Sequence, residues 1–285
     1  MTADPHRKPG GMSDVAGHAA LLDGPPRDVG QLAAVVQGVL IHEHIASTYG
    51  VDLSAEQHAE AHLRAVGDML DRIARRDGRP LTVARPAGER VVGVCRHFTL
   101  LHVALLRRQG AAARARCGFA GYFENAKFLD HWVTEYWNGA EQRWVLVDPQ
   151  LDPHQRKLFA VGFDPLDVPR DRFLVAGDAW RLCRDGKADP TAFGILDMHG
   201  LWFIASNVIR DVAALNNHEM LPWDVWGGMT DKDSELDLPF IDRLAELSSA
   251  PDRHPDALRA AYRDPLVTVP DTVFNAVLGR PDRLG

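Results

Sequence analysis

The chain has 285 residues, of which 46% are hydrophobic, so it can bury a full core as one large domain or as a core domain with additions. Its formal net charge of −7 argues against nucleic acid or an anionic membrane surface as the main partner. No apolar run approaches the roughly 20 residues that a membrane-spanning helix needs. Three widely spaced cysteines do not suggest a disulfide framework, so we expect a cytoplasmic protein.

The first part of the chain is predicted to be a tail followed by two helices. Residues 1–27 are rich in Gly, Pro, Asp and His, which is typical of a flexible tail. One helix is predicted over residues 28–49 from its apolar spacing. A second is predicted over residues 54–76, because Ser54 and Gln57 fit a capping box. Both helices are expected to precede the functional core.

A helix and three strands are predicted in the middle of the chain. Apolar residues recur at helical spacing after Cys95, and Gly110 is a typical residue for the end of a helix. Residues 113–119, 130–137 and 144–149 are rich in β-branched and aromatic residues and are predicted to be strands. A cysteine at the start of a helix is therefore followed by a small sheet.

The last part of the chain is predicted to be a mainly helical extension over residues 161–285. Four Asp-Pro pairs favour turns from the end of the third strand onward. A helix is predicted over residues 201–220, and shorter helices over 240–247, 256–263 and 271–278.

Cys95, His131 and Asp148 are the strongest candidate catalytic residues. Cys95 falls at a predicted helix N-terminus, where unpaired backbone N–H groups favour thiolate over thiol. If Trp137 lies opposite Trp144, His131 and Asp148 are diagonal neighbours on one sheet face, whereas a one-residue slip would separate them. The alternative for Cys95 is a buried helix cysteine that packs as a small hydrophobic residue.

These residues resemble the transglutaminase-like superfamily of papain-like cysteine enzymes. The resemblance covers residues 85–150. It depends on Gly93-Val94-Cys95, Ala113-Arg114 leading to Gly118-Phe119, Asp130-His131-Trp132-Val133 and Trp144-Val145-Leu146-Val147-Asp148-Pro149. It implies an α+β fold, with a Cys-bearing helix packed on an antiparallel sheet within a core of residues 28–160. It also implies that Cys95, His131 and Asp148 are catalytic.

The implied function is acyl transfer from an amide through a thioester on Cys95. We favour cleavage of an amide or peptide bond, because nothing in the sequence indicates a dedicated amine site. The substrate is then a peptide or small-molecule amide, and no cofactor or metal is expected. An amide-forming or transglutaminase-type acyltransferase acting on a small metabolite or peptide is the alternative. A non-catalytic binding protein is a second alternative.

Three residues beyond the resemblance are candidates for substrate binding. Arg210 is a possible clamp for a carboxylate, and Trp223 and Trp226 offer rigid aromatic surfaces near it. The alternative is that the two tryptophans anchor the end of a helix on the core. His42 and His44 do not have the i, i+4 spacing of helical metal ligands, so no metal site is predicted there.

Overall fold

A computed structural model of the chain describes residues 4–24 and 26–284. Contacts divide the chain into two compact units. The N-terminal unit comprises residues 4–24, 26–115 and 133–168, and the C-terminal unit comprises residues 116–132 and 169–284. Both units contain helices and strands, so the predicted α+β class is confirmed. Residues 116–132 group with the C-terminal residues, which differs from a linear division near residue 160.

The N-terminal unit contains the predicted Cys-bearing helix. Its helices are α1 (Val29–Val39), α2 (Ala55–Ala59), α3 (Val66–Arg76), α4 (Cys95–Arg108) and α5 (Pro153–Leu158). Its strands are β1 (Leu40–His42), β2 (Val91–Gly93), the start of β3 (Ala113–Ala120), the end of β4 (Phe128–Asn138) and β5 (Arg143–Val147).

Helix α4 is the buried centre of this unit. All of its residues from Cys95 to Arg107 are buried, which leaves only the last residue of the helix exposed. His102 links the helix to its neighbours: its Nδ1 lies 3.1 Å from Thr134 Oγ1 on β4, and its Nε2 donates to Val29 O at 3.2 Å. The predicted packing of the Cys-bearing helix on the sheet is therefore confirmed.

Two strand pairings position the segments beside α4. Strand β5 pairs antiparallel with the end of β4, and Trp137 lies opposite Trp144, which is the register that the sequence argument for His131 and Asp148 assumes. Strand β1 pairs in parallel with β2 as far as Gly93, two residues before Cys95. The chain thus enters α4 directly from a strand that is held by long-range pairing.

The C-terminal unit combines helices with short strands. Its helices are α6 (Ala176–Arg184), α7 (Leu201–Leu215), α8 (Leu238–Ser249) and α9 (Pro255–Tyr262). Its strands are β6 (Phe173–Val175), β7 (Phe193–Ile195), β8 (Met198–His199), β9 (Asp224–Val225), β10 (Thr272–Asn275) and β11 (Arg280–Arg283), together with the end of β3 and the start of β4. Gly118 allows β3 to pair with β6, because a Cβ there would lie 2.2 Å from Leu174 O.

A buried ion pair connects three elements of the C-terminal unit. Asp211 on α7 accepts two hydrogen bonds from Arg116 on β3, at 3.1 and 2.9 Å. The same carboxylate accepts from the Cys117 backbone N–H at 2.8 Å and from the Ser248 hydroxyl of α8 at 2.9 Å. Arg116 and Asp211 are 1% and 0% exposed, so each charge depends on the other for compensation.

The predicted N-terminal helices are shorter than expected. The helix predicted over 28–49 ends at Val39, because Leu40–His42 pair with the distant strand β2 and Glu43–Tyr49 form a 3₁₀ helix. The capping box of Ser54 and Gln57 is present, but α2 ends at Ala59 and a new helix starts at Val66.

The break after α2 has a tertiary cause. The Glu60 carboxylate is buried, where it accepts from Val92 N at 3.0 Å and pairs with Arg72 and Arg76. A continuous helix through this point would have to give up these bonds. The sequence periodicity does not contain this information.

Two predictions near the chain ends also differ from the structure. Residues 271–278 were predicted as a helix but contain strand β10, in which Val273 and Asn275 are buried and alternate with exposed residues. The segment 1–27 was predicted as a flexible tail, but among its described residues Leu21 and Leu22 are buried, and Ser13 Oγ accepts from Arg107 at 2.8 Å. Apolar burial and a buried guanidinium therefore fix much of this segment.

Helix α7 ends at Leu215 rather than near residue 220.

Asp211→Asn is expected to destabilise the protein by about 3–5 kcal/mol, because it removes the carboxylate charge that pairs with the buried Arg116 guanidinium. Denaturant unfolding measures this loss. The matched control is Asp242→Asn, whose carboxylate is 43% exposed and pairs with Arg184 at 3.0 Å. The control should lose less than about 1 kcal/mol. Equal losses in the two variants would contradict the role given to the buried pair.

Stability is expected to fall as the pH is lowered from about 6.5 toward 4, because the pKa values of two histidines are lowered by burial. Burial lowers the pKa of His102 to about 4, so the unfolded chain takes up this proton at a higher pH than the folded protein. His102→Gln should therefore reduce the loss of stability between pH 5.5 and 4.5 by about 1 kcal/mol.

Urea unfolding at several pH values tests this expectation. Leu105→Ala, on the same helix, is the control, because it should lower stability without changing its pH dependence. The explanation fails if both variants show the pH dependence of the wild type.

Candidate active site

Cys95 is the first residue of α4 and is 6% exposed. The preceding residue, Val94, is the extended N-cap of the helix, and its N–H donates to His97 Nδ1 at 3.1 Å. The backbone N–H groups of a first helical turn have no carbonyl partners within the helix, so they favour a negative charge close to them. The structure thus places the thiol at the helix N-terminus, as the sequence predicts.

The backbone segment that leads into Cys95 packs closely against the helix, because Gly93 lies against the His97 side chain. A Cβ at Gly93 would lie 2.7 Å from carbon atoms of the His97 side chain, so a larger residue does not fit without a shift. Burial, together with the neighbouring Arg96 charge, lowers the pKa of His97 to about 3. The imidazole is therefore neutral near pH 7, and its Nδ1 lone pair is used as the helix cap. These features indicate a structural role for His97, even though it lies close to Cys95 in sequence.

Asp148 lies immediately after β5, in the same unit as Cys95. Its side chain is buried, and its Oδ1 accepts from the Gln150 backbone N–H at 3.0 Å. Its own N–H donates to Pro165 O at 2.8 Å. The last β4–β5 pair joins Thr134 and Val147, so the carboxylate follows directly from a strand end. Both the backbone and the side chain of this residue are held by specific hydrogen bonds.

His131 lies on the part of β4 that belongs to the C-terminal unit, and it is 2% exposed. Its ring makes T-shaped contacts with Phe123, Tyr122 and Phe173, at centroid distances of 4.9, 5.9 and 6.3 Å. Aromatic edges and faces arranged in this way restrict the orientation of an imidazole and keep bulk water away from it. Tyr122 and Phe123 occupy the short connection between β3 and β4 and are half-buried.

Arg210, predicted as a carboxylate clamp, is part of an internal chain of polar contacts. Its Nη1 donates to Asn207 Oδ1 at 3.0 Å, and its Nη2 donates to Asp224 O at 3.1 Å. Asn207 in turn donates to Asp130 Oδ1 at 2.7 Å. Burial lowers the pKa of Arg210 and raises that of Asp130. Arg210 therefore connects to the residue next to His131, while a contact with substrate stays a prediction.

The two tryptophans of the same prediction have different environments. Trp226 is 5% exposed, and its indole N–H donates to Val267 O at 2.9 Å, which is typical of a residue that anchors the core. Trp223 is half-buried, and its backbone carbonyl accepts from Ala276 N at 3.0 Å. Their predicted contact with substrate is also untested.

Two sets of residues, one beside His131 in the C-terminal unit and one beside Asp148 in the N-terminal unit, were not indicated by the sequence. One is the group of aromatic rings around His131. The other is a set of polar side chains linked to the turn that follows Asp148: Tyr49, Gln150, Asp152 and Gln155. The available signal for the rings around His131 was Tyr122-Phe123, an aromatic pair in the otherwise polar connection between β3 and β4. No local pattern links Tyr49 to residues about 100 positions later.

The described residues, 4–24 and 26–284, contain neither a candidate metal cluster nor a candidate membrane-spanning helix. Within these ranges, no group of three or more His, Cys, Asp or Glu side chains is arranged to hold a metal ion. No helix in the same part of the chain has both the length and the apolar character needed to cross a bilayer.

Comparison with known proteins supports the resemblance. Residues 43–149 match the model of the transglutaminase-like superfamily. The match starts well before residue 85, where the resemblance was expected to begin, and it contains Cys95, His131 and Asp148. No curated protein and no solved structure matched the chain.

Proposed function

We propose that the chain, which carries a transglutaminase-like segment at residues 43–149, is a cysteine-dependent acyl-transfer enzyme. Cys95 is the nucleophile, His131 the general base and Asp148 the residue that orients the imidazole. The observation that carries this proposal is the location of Cys95 as the first residue of a buried helix inside the matched segment. His131 and Asp148 follow it in the order that the family resemblance requires.

The proposed reaction begins with proton transfer from the Cys95 thiol to His131. The thiolate adds to the carbonyl carbon of an amide, and the Cys95 backbone N–H is one donor to the resulting oxyanion. The C–N bond then breaks, and the imidazolium of His131 gives its proton to the leaving amine. An acyl thioester remains on Cys95.

The second half of the reaction releases the acyl group. In the hydrolase, His131 removes a proton from water, the water oxygen adds to the thioester carbonyl, and the C–S bond breaks to give a carboxylic acid and the thiolate. In the alternative transferase, an amine attacks instead of water and a new amide forms. Hydrolysis is favoured because water needs no dedicated binding site, whereas an acceptor amine does. The binding-protein alternative is disfavoured because all three catalytic positions are filled.

Labelling with iodoacetamide, mapped by mass spectrometry, tests the proposed thiolate–imidazolium pair. Cys95 should react rapidly below about pH 7, and this reactivity should be lost in His131→Ala. Cys117 and Cys183 are internal controls within the same molecule. Cys117 is fully buried, and burial raises the pKa of Cys183 to about 11, so both should react slowly at neutral pH.

The opposite result has a clear meaning. A Cys95 that reacts like an ordinary thiol, with a pKa of about 8.5, and that ignores His131→Ala would contradict the catalytic proposal. The binding-protein alternative would then be favoured.

Competition between water and an amine tests the choice between hydrolase and transferase. With p-nitrophenyl acetate as acyl donor, Cys95 should become acetylated, and in the presence of n-butylamine free acetate should remain the main product. The Cys95→Ala variant gives the background of direct aminolysis. An enzyme-dependent excess of N-butylacetamide over acetate would favour the transferase instead.

A further inference from the structure

A network of buried and half-buried polar side chains is linked to the turn that follows Asp148 in the N-terminal unit. The Gln150 amide donates from Nε2 to Gln155 Oε1 at 3.0 Å. Gln155 Nε2 donates to the Tyr49 hydroxyl at 3.1 Å, and that hydroxyl donates to Asp152 Oδ2 at 2.8 Å. We name these four residues the Tyr49 network. Gln150 and Gln155 are 4% and 2% exposed, so the network lies largely out of water.

The network connects through the backbone to the Asp148 carboxylate. Gln150 donates its backbone N–H to Asp148 Oδ1 at 3.0 Å, and its carbonyl accepts from Asp152 N at 2.8 Å. Asp152 also caps α5, because its Oδ1 accepts from Gln155 N at 2.8 Å. The turn that orients the carboxylate is thus held by several hydrogen bonds between its own residues. Its conformation is tied to the position of Tyr49.

Tyr49 anchors this turn to a distant part of the chain. It ends the 3₁₀ helix Glu43–Tyr49, and its ring lies 4.3 Å from the His154 ring. Burial raises the pKa of the Tyr49 hydroxyl, so the group keeps its proton and remains a donor to Asp152 at any ordinary pH. Polar groups that are buried and bonded in a chain of this kind fix one geometry, because losing any link leaves a partner unsatisfied.

The geometry points to Tyr49 as a positioning residue for the proposed reaction, acting through Gln155 and Gln150 to hold the Asp148 carboxylate in its orientation. This inference rests on the proposed function, in which Asp148 orients His131. It assigns a functional consequence to a hydroxyl whose hydrogen bonds are to Asp152 and Gln155. Loss of that hydroxyl should loosen the turn, weaken the support given to the imidazolium and make the Cys95 thiolate less stable.

A double-mutant cycle on the labelling reaction tests this role. Tyr49→Phe removes the hydroxyl and keeps the ring, and Asp148→Asn removes the carboxylate charge. Labelling of Cys95 at pH 6 should slow by about tenfold in Tyr49→Phe, with the pH profile moved up by about one unit. If Tyr49 acts through Asp148, the double variant should label no more slowly than Asp148→Asn alone.

Two controls separate positioning from a general loss of structure. Tyr136→Phe removes the hydroxyl of a half-buried tyrosine on β4, outside the Tyr49 network. The pH profile of Cys95 labelling in this variant should be the same as in the wild type. Gln155→Met breaks the network at another link and should reproduce the shift of Tyr49→Phe even if that variant folds poorly. Urea unfolding of each variant shows whether it is folded under the labelling conditions.

The possible failures are distinguishable. If Asp148→Asn slows labelling but Tyr49→Phe and Gln155→Met do not, the positioning role is wrong while the proposed function stands. Losses in the two single variants that multiply in the double variant would also overturn the role, because Tyr49 would then act independently of Asp148. If labelling of wild-type Cys95 does not depend on His131, the proposed function fails, and the positioning role fails with it.

Discussion

The burial of α4 is the constraint on which the N-terminal unit depends. The polar side chains of a helix that is surrounded by protein cannot form hydrogen bonds to water. Each buried polar group without a partner destabilises the folded protein by about 1–3 kcal/mol. His97 therefore accepts from Val94 N, His102 donates to Val29 O, and Arg107 donates from Nε to Ala113 O at 2.8 Å. These bonds satisfy polar groups near the start, the middle and the end of the helix that bears Cys95 as its first residue.

The buried ion pairs contribute more to geometry than to stability. Arg114 pairs with Glu135 at 2.7 Å within the N-terminal unit, and Arg116 pairs with Asp211 within the C-terminal unit. The cost of removing such charges from water about cancels their attraction, so apolar residues of similar volume would often stabilise a core as well. Both arginines lie on one face of β3, two residues apart. A shift of β3 by one residue would turn both guanidinium groups away from their partners, so the pairs specify its register.

The local sequence pattern was sufficient to predict the helix and strands in the centre of the chain, and it was insufficient to predict the elements nearer the two ends. The helix after Cys95 and the strand pair β4–β5 follow from periodicity and turn residues, whereas the Trp137–Trp144 register had to be assumed, because a one-residue slip fits the same pattern. The early end of α1 does not follow from the local pattern, because it depends on pairing with β2 about 50 residues away. The Tyr49 network was equally hidden, since glutamine and tyrosine side chains carry no signal of the partner that they will meet.

The surroundings of the two proposed partners of Cys95 differ in kind, and the difference is consistent with their roles. The Asp148 carboxylate is held by a backbone N–H in a turn that polar side chains close. The His131 ring is packed among the aromatic rings of Tyr122, Phe123 and Phe173, which restrict its orientation. A residue that only orients needs a fixed carboxylate, and a polar network provides it. A residue that moves protons needs a ring that keeps one orientation while its charge changes, and contacts with neutral aromatic rings restrict that orientation without placing a further charge beside the imidazole.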